Sequence, residues 1–200
     1  DRSAAASDVY KRQVCNKPRS FAYRAPGSTQ VAFATEHVGD LLAARSLLAD
    51  RELDFRLHFA GGGPLEKEIL AMDGCELLGT LSPQELVHWY RAADLLVLPS
   101  HSEGSPLVVM EALSCGTPVL ATRVGGVPEL IEPGRNGELV HPMQPEMLAE
   151  KLGELLESPG ALENMREAIL ADGRDFSARR CALRVCESLR RTLDAGGATA

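Results

Sequence analysis

From about residue 31 the chain alternates short apolar runs with helical patterns, and this alternation leaves it few folds. The runs are Val31–Thr35, Phe55–Ala60, Cys75–Gly79, Asp94–Pro99, Pro118–Thr122 and Glu138–His141. Between them lie Val38–Asp50, Leu65–Met72, Pro83–Ala93, Pro106–Cys115 and Val127–Glu132. Leu95-Leu96-Val97-Leu98 is apolar on consecutive residues, as expected of a strand covered on both faces. Such alternation predicts a parallel sheet with right-handed crossovers. The expected fold is a doubly wound α/β domain over residues 31–175, purely helical beyond residue 143: Gln144–Glu157, Ala161–Ala171 and Phe176–Asp194.

Helix punctuation agrees. Ser82-Pro83 and Ser105-Pro106 each set a capping hydroxyl before a proline suited to the first helical position. Gly116 is placed to close a helix, and Pro118 to open a strand where a missing N–H does least harm.

Composition narrows the function. A net charge of -7 on 200 residues speaks against nucleic acid as a partner. The five cysteines are odd in number, lack C-x-x-C spacing and have apolar neighbours, which fits reduced thiols in the cytoplasm. The five histidines form no metal-ligand cluster, so no metal site is expected. No apolar run approaches the ~20 residues that span a bilayer.

Asp8-Val9-Tyr10-Lys11-Arg12-Gln13 is similar to the translation of an adapter used to prepare sequencing libraries, so residues 1–13 are expected to be foreign to the fold. Residues 14–30 lack periodicity and receive no role. The tail 195–200 is expected to fray.

Ligands of a doubly wound sheet bind beyond the carboxyl ends of its strands, and three segments there have suitable composition. Gly61-Gly62-Gly63-Pro64 reads first as a tight turn and second as a place where backbone meets ligand. Ser100-His101-Ser102-Glu103-Gly104-Ser105-Pro106 leads into a helix that carries Glu111. A helix start with free N–H groups suits a diphosphate, and since Pro106 has no N–H the donors fall to Ser105, Leu107 and Val108. Gly104 lets backbone come close. Glu111 interrupts an apolar helix, and either faces solvent or finds donors such as a pair of ribose hydroxyls. Glu103 either offsets the helix dipole or stabilises positive charge developing on a sugar. Arg123-Val124-Gly125-Gly126-Val127-Pro128-Glu129 reads as a turn ahead of a possible sugar-wrapping loop.

Taken together, Ala60–Pro64, Leu77-Leu78-Gly79, Tyr90–Asp94, Leu98–Ser100, Glu103–Thr122, Val124–Glu129 and Asn136–Val140 resemble the C-terminal domain of retaining glycosyltransferases with the GT-B fold. The resemblance runs from about residue 36 to 190, and its two glutamates are seven residues apart as in that family. It implies a Rossmann-like sheet, one half of a GT-B fold, cut off from the N-terminal domain that would hold the acceptor. It also implies transfer of a sugar from a UDP-, GDP- or ADP-sugar with retained configuration and no metal or other cofactor. Glu103 would contact the donor sugar. Backbone from Gly104 through Ser105 to Leu107 and Val108 would hold sugar hydroxyls and the distal phosphate, and Glu111 the ribose. The nucleobase would lie near Leu78 and Leu81, with Gly62 close by.

Two departures stand out. An Arg and a Lys that clamp the diphosphate in the family fall here on Val31 or Ala32 and on Glu36 or His37; losing both removes charge-assisted bonds of about 1.5–3 kcal/mol each. The acceptor domain is the other, and the last helix, 176–194, is expected to pack across onto it. The fragment alone is expected to be inactive. The whole enzyme is expected in the cytoplasm or at its membrane face, acting on a saccharide, lipid or small-molecule acceptor. Competing readings are a GT-B-fold epimerase or phosphorylase, and a non-catalytic nucleotide-binding module.

Overall fold

The computed structural model describes residues 39–49, 51, 53 and 55–173. The run Val31–Thr35, the leader, the cation positions and the helix 176–194 lie outside those residues. Helical residues 39–47 (α1) are followed by β1 (Leu57–Ala60), α2 (Glu66–Ala71), β2 (Cys75–Gly79), α3 (Pro83–Ala92), β3 (Leu96–Leu98) and α4 (Leu107–Ser114). Then come β4 (Val119–Thr122), α5 (Val127–Leu130), β5 (Gly137–Val140), α6 (Pro145–Glu157) and α7 (Pro159–Asp172). Every strand pairing is parallel: β1 with β2, and β4 between β3 and β5. The chain folds as the α/β architecture expected from its alternation.

Both faces of the three-stranded sheet are covered, which accounts for the consecutive apolar residues. All four residues of β4 are buried. Leu120 joins one core with Leu41, Ala44 and Leu48 of α1, the adjoining turn and the inner face of α6. Val119 and Ala121 join the other core with Val109, Ala112 and Leu113 of α4, Val127 of α5 and Tyr90 of α3. Leu95 and Val97 lean on the first core, Leu96 and Leu98 on the second, the period of two that a strand imposes. Each fully buried aliphatic side chain stabilises this layering by about 1.5–3 kcal/mol.

Several expected boundaries move. β1 and β3 are shorter than their apolar runs, and α7 begins at Pro159 rather than Ala161, because proline is compatible with a first helical turn. Gly116 closes α4 as expected, at φ 86°.

The two Ser-Pro starts differ. At α3, Pro83 occupies the first helical position and Ser82 is the cap: Glu85 N–H donates to Ser82 Oγ at 3.3 Å, and Ser82 N–H donates to Glu85 Oε2 at 2.7 Å. This reciprocal pair is a capping box. At α4 the expectation of a Ser105 cap fails. Pro106 itself is the N-cap, extended at φ -72° and ψ 115°, and no side chain caps the helix. Ser105 therefore stands one position too early, and Val108 has no carboxylate with which to close a box.

Candidate functional site

Each segment singled out in the sequence follows the carboxyl end of a strand, and the two after β3 and β4 lie against each other. Ser100, buried behind β3, donates its Oγ–H to Glu103 Oε1 at 2.7 Å. Thr122, at the end of β4, donates its hydroxyl to the Ser100 carbonyl, tying the loop to the neighbouring strand. Glu103 is half-buried.

The turn after β4 has a second task that the sequence did not reveal. Gly126 N–H donates to the Gly104 carbonyl at 2.8 Å. A Cβ added at Gly125, where φ is +49°, would stand 1.6 Å from the Glu103 carbonyl oxygen, and one at Gly126 would stand 2.5 Å from that of Gly104. Two glycines thus let one backbone lie against the other. Arg123 to Glu129 is a turn, as read first, but it also clamps the loop that carries Glu103. Gly104 itself meets no protein atom within 4 Å of an added Cβ, so nothing in the protein demands glycine there.

Beyond the clamp, α4 opens with Leu107 and Val108 in its first turn. Leu107 is 65% exposed and Val108 37%, so apolar side chains flank an uncapped helix start in the open. Such a start carries partial positive charge and amides able to receive an anion.

Glu111 does more than face solvent. Although the residue is exposed, Tyr90 Oη donates to its Oε2 at 3.1 Å. Burial, and then the negative charge of Glu111, push the Tyr90 hydroxyl well above the usual phenol range, so it stays a proton donor. Thr117 in turn donates its hydroxyl to the Tyr90 carbonyl. Tyr90 was quoted above only as part of a motif; its contact spans 21 positions in sequence and has no local signature.

The glycine run follows its first reading. Gly61, at φ 113°, bridges to Gly79, so Gly62 and the stretch Leu78–Leu81 share one end of the β1–β2 pair. Gly63 N–H already donates to Glu66 Oε1 at 3.0 Å, and a Cβ on Gly62 would meet that same oxygen at 2.8 Å. Leu78 and Leu81 are both half-buried. Among the described residues, no group of three or more His, Cys, Asp or Glu side chains is arranged to hold a metal ion. Cys75 and Cys115 are free thiols. No helix among the described residues is long and apolar enough to cross a membrane.

A parallel sheet wrapped by helices, with its polar loops and a bare helix start beyond the strand ends, is the architecture of Rossmann-like ligand-binding domains. The chain belongs to the glycosyl transferases group 1 family, which it matches over residues 28–158. It is 36% identical over 137 residues to an uncharacterized glycosyltransferase of Methanocaldococcus jannaschii, an alignment covering 66% of this chain and 38% of that one. It is 38% identical over 162 residues to the D-inositol 3-phosphate glycosyltransferase of Thermobispora bispora, covering 74% and 38%. The chain thus spans well under half the length of these curated relatives. In fold it is similar to Anabaena HepE, solved in complex with UDP-glucose, with a TM-score of 0.66 at 21% identity over 92% of this chain and 53% of that one.

Proposed function

We propose that this chain is the donor-binding part of an enzyme that moves a sugar from a nucleotide-activated donor to an acceptor with retained anomeric configuration. The observation that carries the reading is the opening of α4: its first turn has no side-chain cap, a held carboxylate (Glu103) precedes that turn, and a second carboxylate (Glu111) sits in the next one. The amides of Leu107 and Val108 receive the distal phosphate, and Gly104 and Ser105 offer backbone to the sugar. Tyr90 engages one oxygen of Glu111, and the other accepts from a ribose hydroxyl. Leu78, Leu81 and Gly62 line the side toward the base. The match to HepE, whose solved complex holds UDP-glucose, supports this class of ligand through its fold.

In the transfer step the bond between the anomeric carbon and the diphosphate oxygen breaks, and the diphosphate takes the bonding electrons. An acceptor hydroxyl attacks the same face and passes its proton to the departing phosphate. Glu103 faces the ring as positive charge builds there, an electrostatic contribution. No metal takes part in the proposed step and a separate domain binds the acceptor, so this chain alone is expected to be inactive. The whole enzyme is proposed to work on the cytoplasmic side of the cell.

Calorimetric titration with UDP, GDP and ADP tests the donor site. At least one is expected to bind, and Glu111→Ala is expected to weaken it about tenfold, the order of one charge-assisted hydrogen bond. A folded chain that binds none of the three would favour a non-catalytic module instead.

A further inference from the structure

His101, in the Glu103 loop, makes a contact that the transfer reading does not use. His101 Nε2 lies 2.6 Å from Asp40 Oδ2, with the two side chains 14% and 21% exposed. Of the ties described, Ser100 to Glu103 stays within the loop, while Thr122 to the Ser100 carbonyl and Gly126 to Gly104 join it to β4 and the adjacent turn. The His101–Asp40 contact reaches across 61 positions to α1. Gly104 is fixed on the far side of Glu103; His101 is fixed on the near side, two residues before it.

Asp40 is not needed to hold α1 down. Leu41, Ala44 and Leu48 bury that element in the first core. A largely desolvated imidazole–carboxylate pair on a loop costs solvation for both groups, and generic packing does not call for it. Its geometric effect is to fix the loop's height above the sheet. A histidine side chain has only two rotatable bonds, and its ring offers a narrow choice of hydrogen-bond directions.

We infer that Asp40 and His101 form a positioning pair that sets the Glu103 carboxylate at the height of the donor sugar, without touching the donor. The inference rests on the donor-site reading above. It predicts an effect on the sugar rather than the nucleotide: the proposed nucleotide contacts lie on α4 and Glu111, whereas a shift of about 1 Å at Glu103 weakens contacts to the ring.

The test uses this chain and calorimetry with UDP, GDP and ADP, set against UDP-glucose, UDP-N-acetylglucosamine, GDP-mannose and ADP-glucose. His101→Ala and Asp40→Ala are each expected to lower affinity for the best-bound nucleotide-sugar about tenfold, with its bare nucleotide unchanged within about twofold. Asp40→Asn keeps an acceptor at the same place and is expected to restore most of the affinity. Equal losses for nucleotide and nucleotide-sugar would make the pair merely structural and overturn the inference; so would no loss. Should an alanine variant fail to fold, His101→Gln keeps a donor with altered reach and is expected to lose about threefold on the nucleotide-sugar alone; an unchanged affinity would overturn the pair. A wild-type chain that binds no nucleotide would instead overturn the donor site itself, an outcome distinct from all of these.

Discussion

Ser82-Pro83 and Ser105-Pro106 are the same dipeptide at the start of two helices, and they end in opposite states. At α3 the serine caps, the proline fills the first position, and Glu85 returns the favour, so the chain satisfies its own donors. At α4 the proline is the cap, the serine falls outside, and the first turn keeps its amides uncapped by any side chain. A self-satisfied helix start contributes stability. An unsatisfied one, with Glu103 held beside it, is arranged for a ligand. The difference lies outside the dipeptide: Glu85 closes the box at α3 where Val108 has no carboxylate, and the loop before α4 is pinned by the Gly125–Gly126 turn.

Removing that pin should break the comparison most severely. Gly125→Ala drives a Cβ into the Glu103 carbonyl and forces a left-handed φ on alanine. The expected cost is about 1–3 kcal/mol for overpacking and about 1–2 kcal/mol for backbone strain, visible as a lowered thermal midpoint together with lost nucleotide-sugar binding. Unchanged melting and binding would show that the clamp is dispensable.

Cap removal separates the two starts more gently. Ser82→Ala should cost about 1 kcal/mol of stability in denaturant unfolding, whereas Ser105→Ala, which removes no cap, should stay within about 0.5 kcal/mol of wild type. Equal losses at both sites would erase the distinction. Acid provides the smallest effect. Hydrogen bonds to Ser82, first through its side chain and then its backbone, hold the Glu85 carboxyl below its ordinary value. A depressed carboxylate contributes stability above its unfolded pKa, and that contribution is lost as pH falls through the folded one. Ser82→Ala should therefore matter less at low pH than at neutrality, when unfolding is compared at the two.

Much of this was legible before any coordinates. The span of β2 follows its apolar run residue for residue, and the consecutive apolar residues Leu95 to Leu98 foretold cover on both faces, with Leu95 and Val97 against one core and Leu96 and Leu98 against the other. The Ser82 cap was legible from the Ser-Pro pair; the return bond from Glu85, three residues on, completes it as a box. The failed Ser105 cap was read from the Ser-Pro dipeptide alone, although Val108 lacks the carboxylate that Glu85 supplies at the other helix; the bond between Gly126 and Gly104 that holds the preceding loop spans 22 positions and had no local sign. Tyr90 with Glu111 and Asp40 with His101 were hidden for the same reason: each pair is joined by folding, and neither partner's neighbours carry its signature. The glutamates themselves were legible as carboxylates placed where burial or a dipole makes them costly or useful. Their supports were not.

Tyr90 has a consequence for working conditions. A phenol that ionised in mild alkali would turn from donor to anion and push its carboxylate neighbour away. Here burial and the Glu111 carboxylate raise the hydroxyl above the ordinary phenol range, so the ring oxygen keeps its proton, and its bond to Glu111, further into alkali than an exposed tyrosine would.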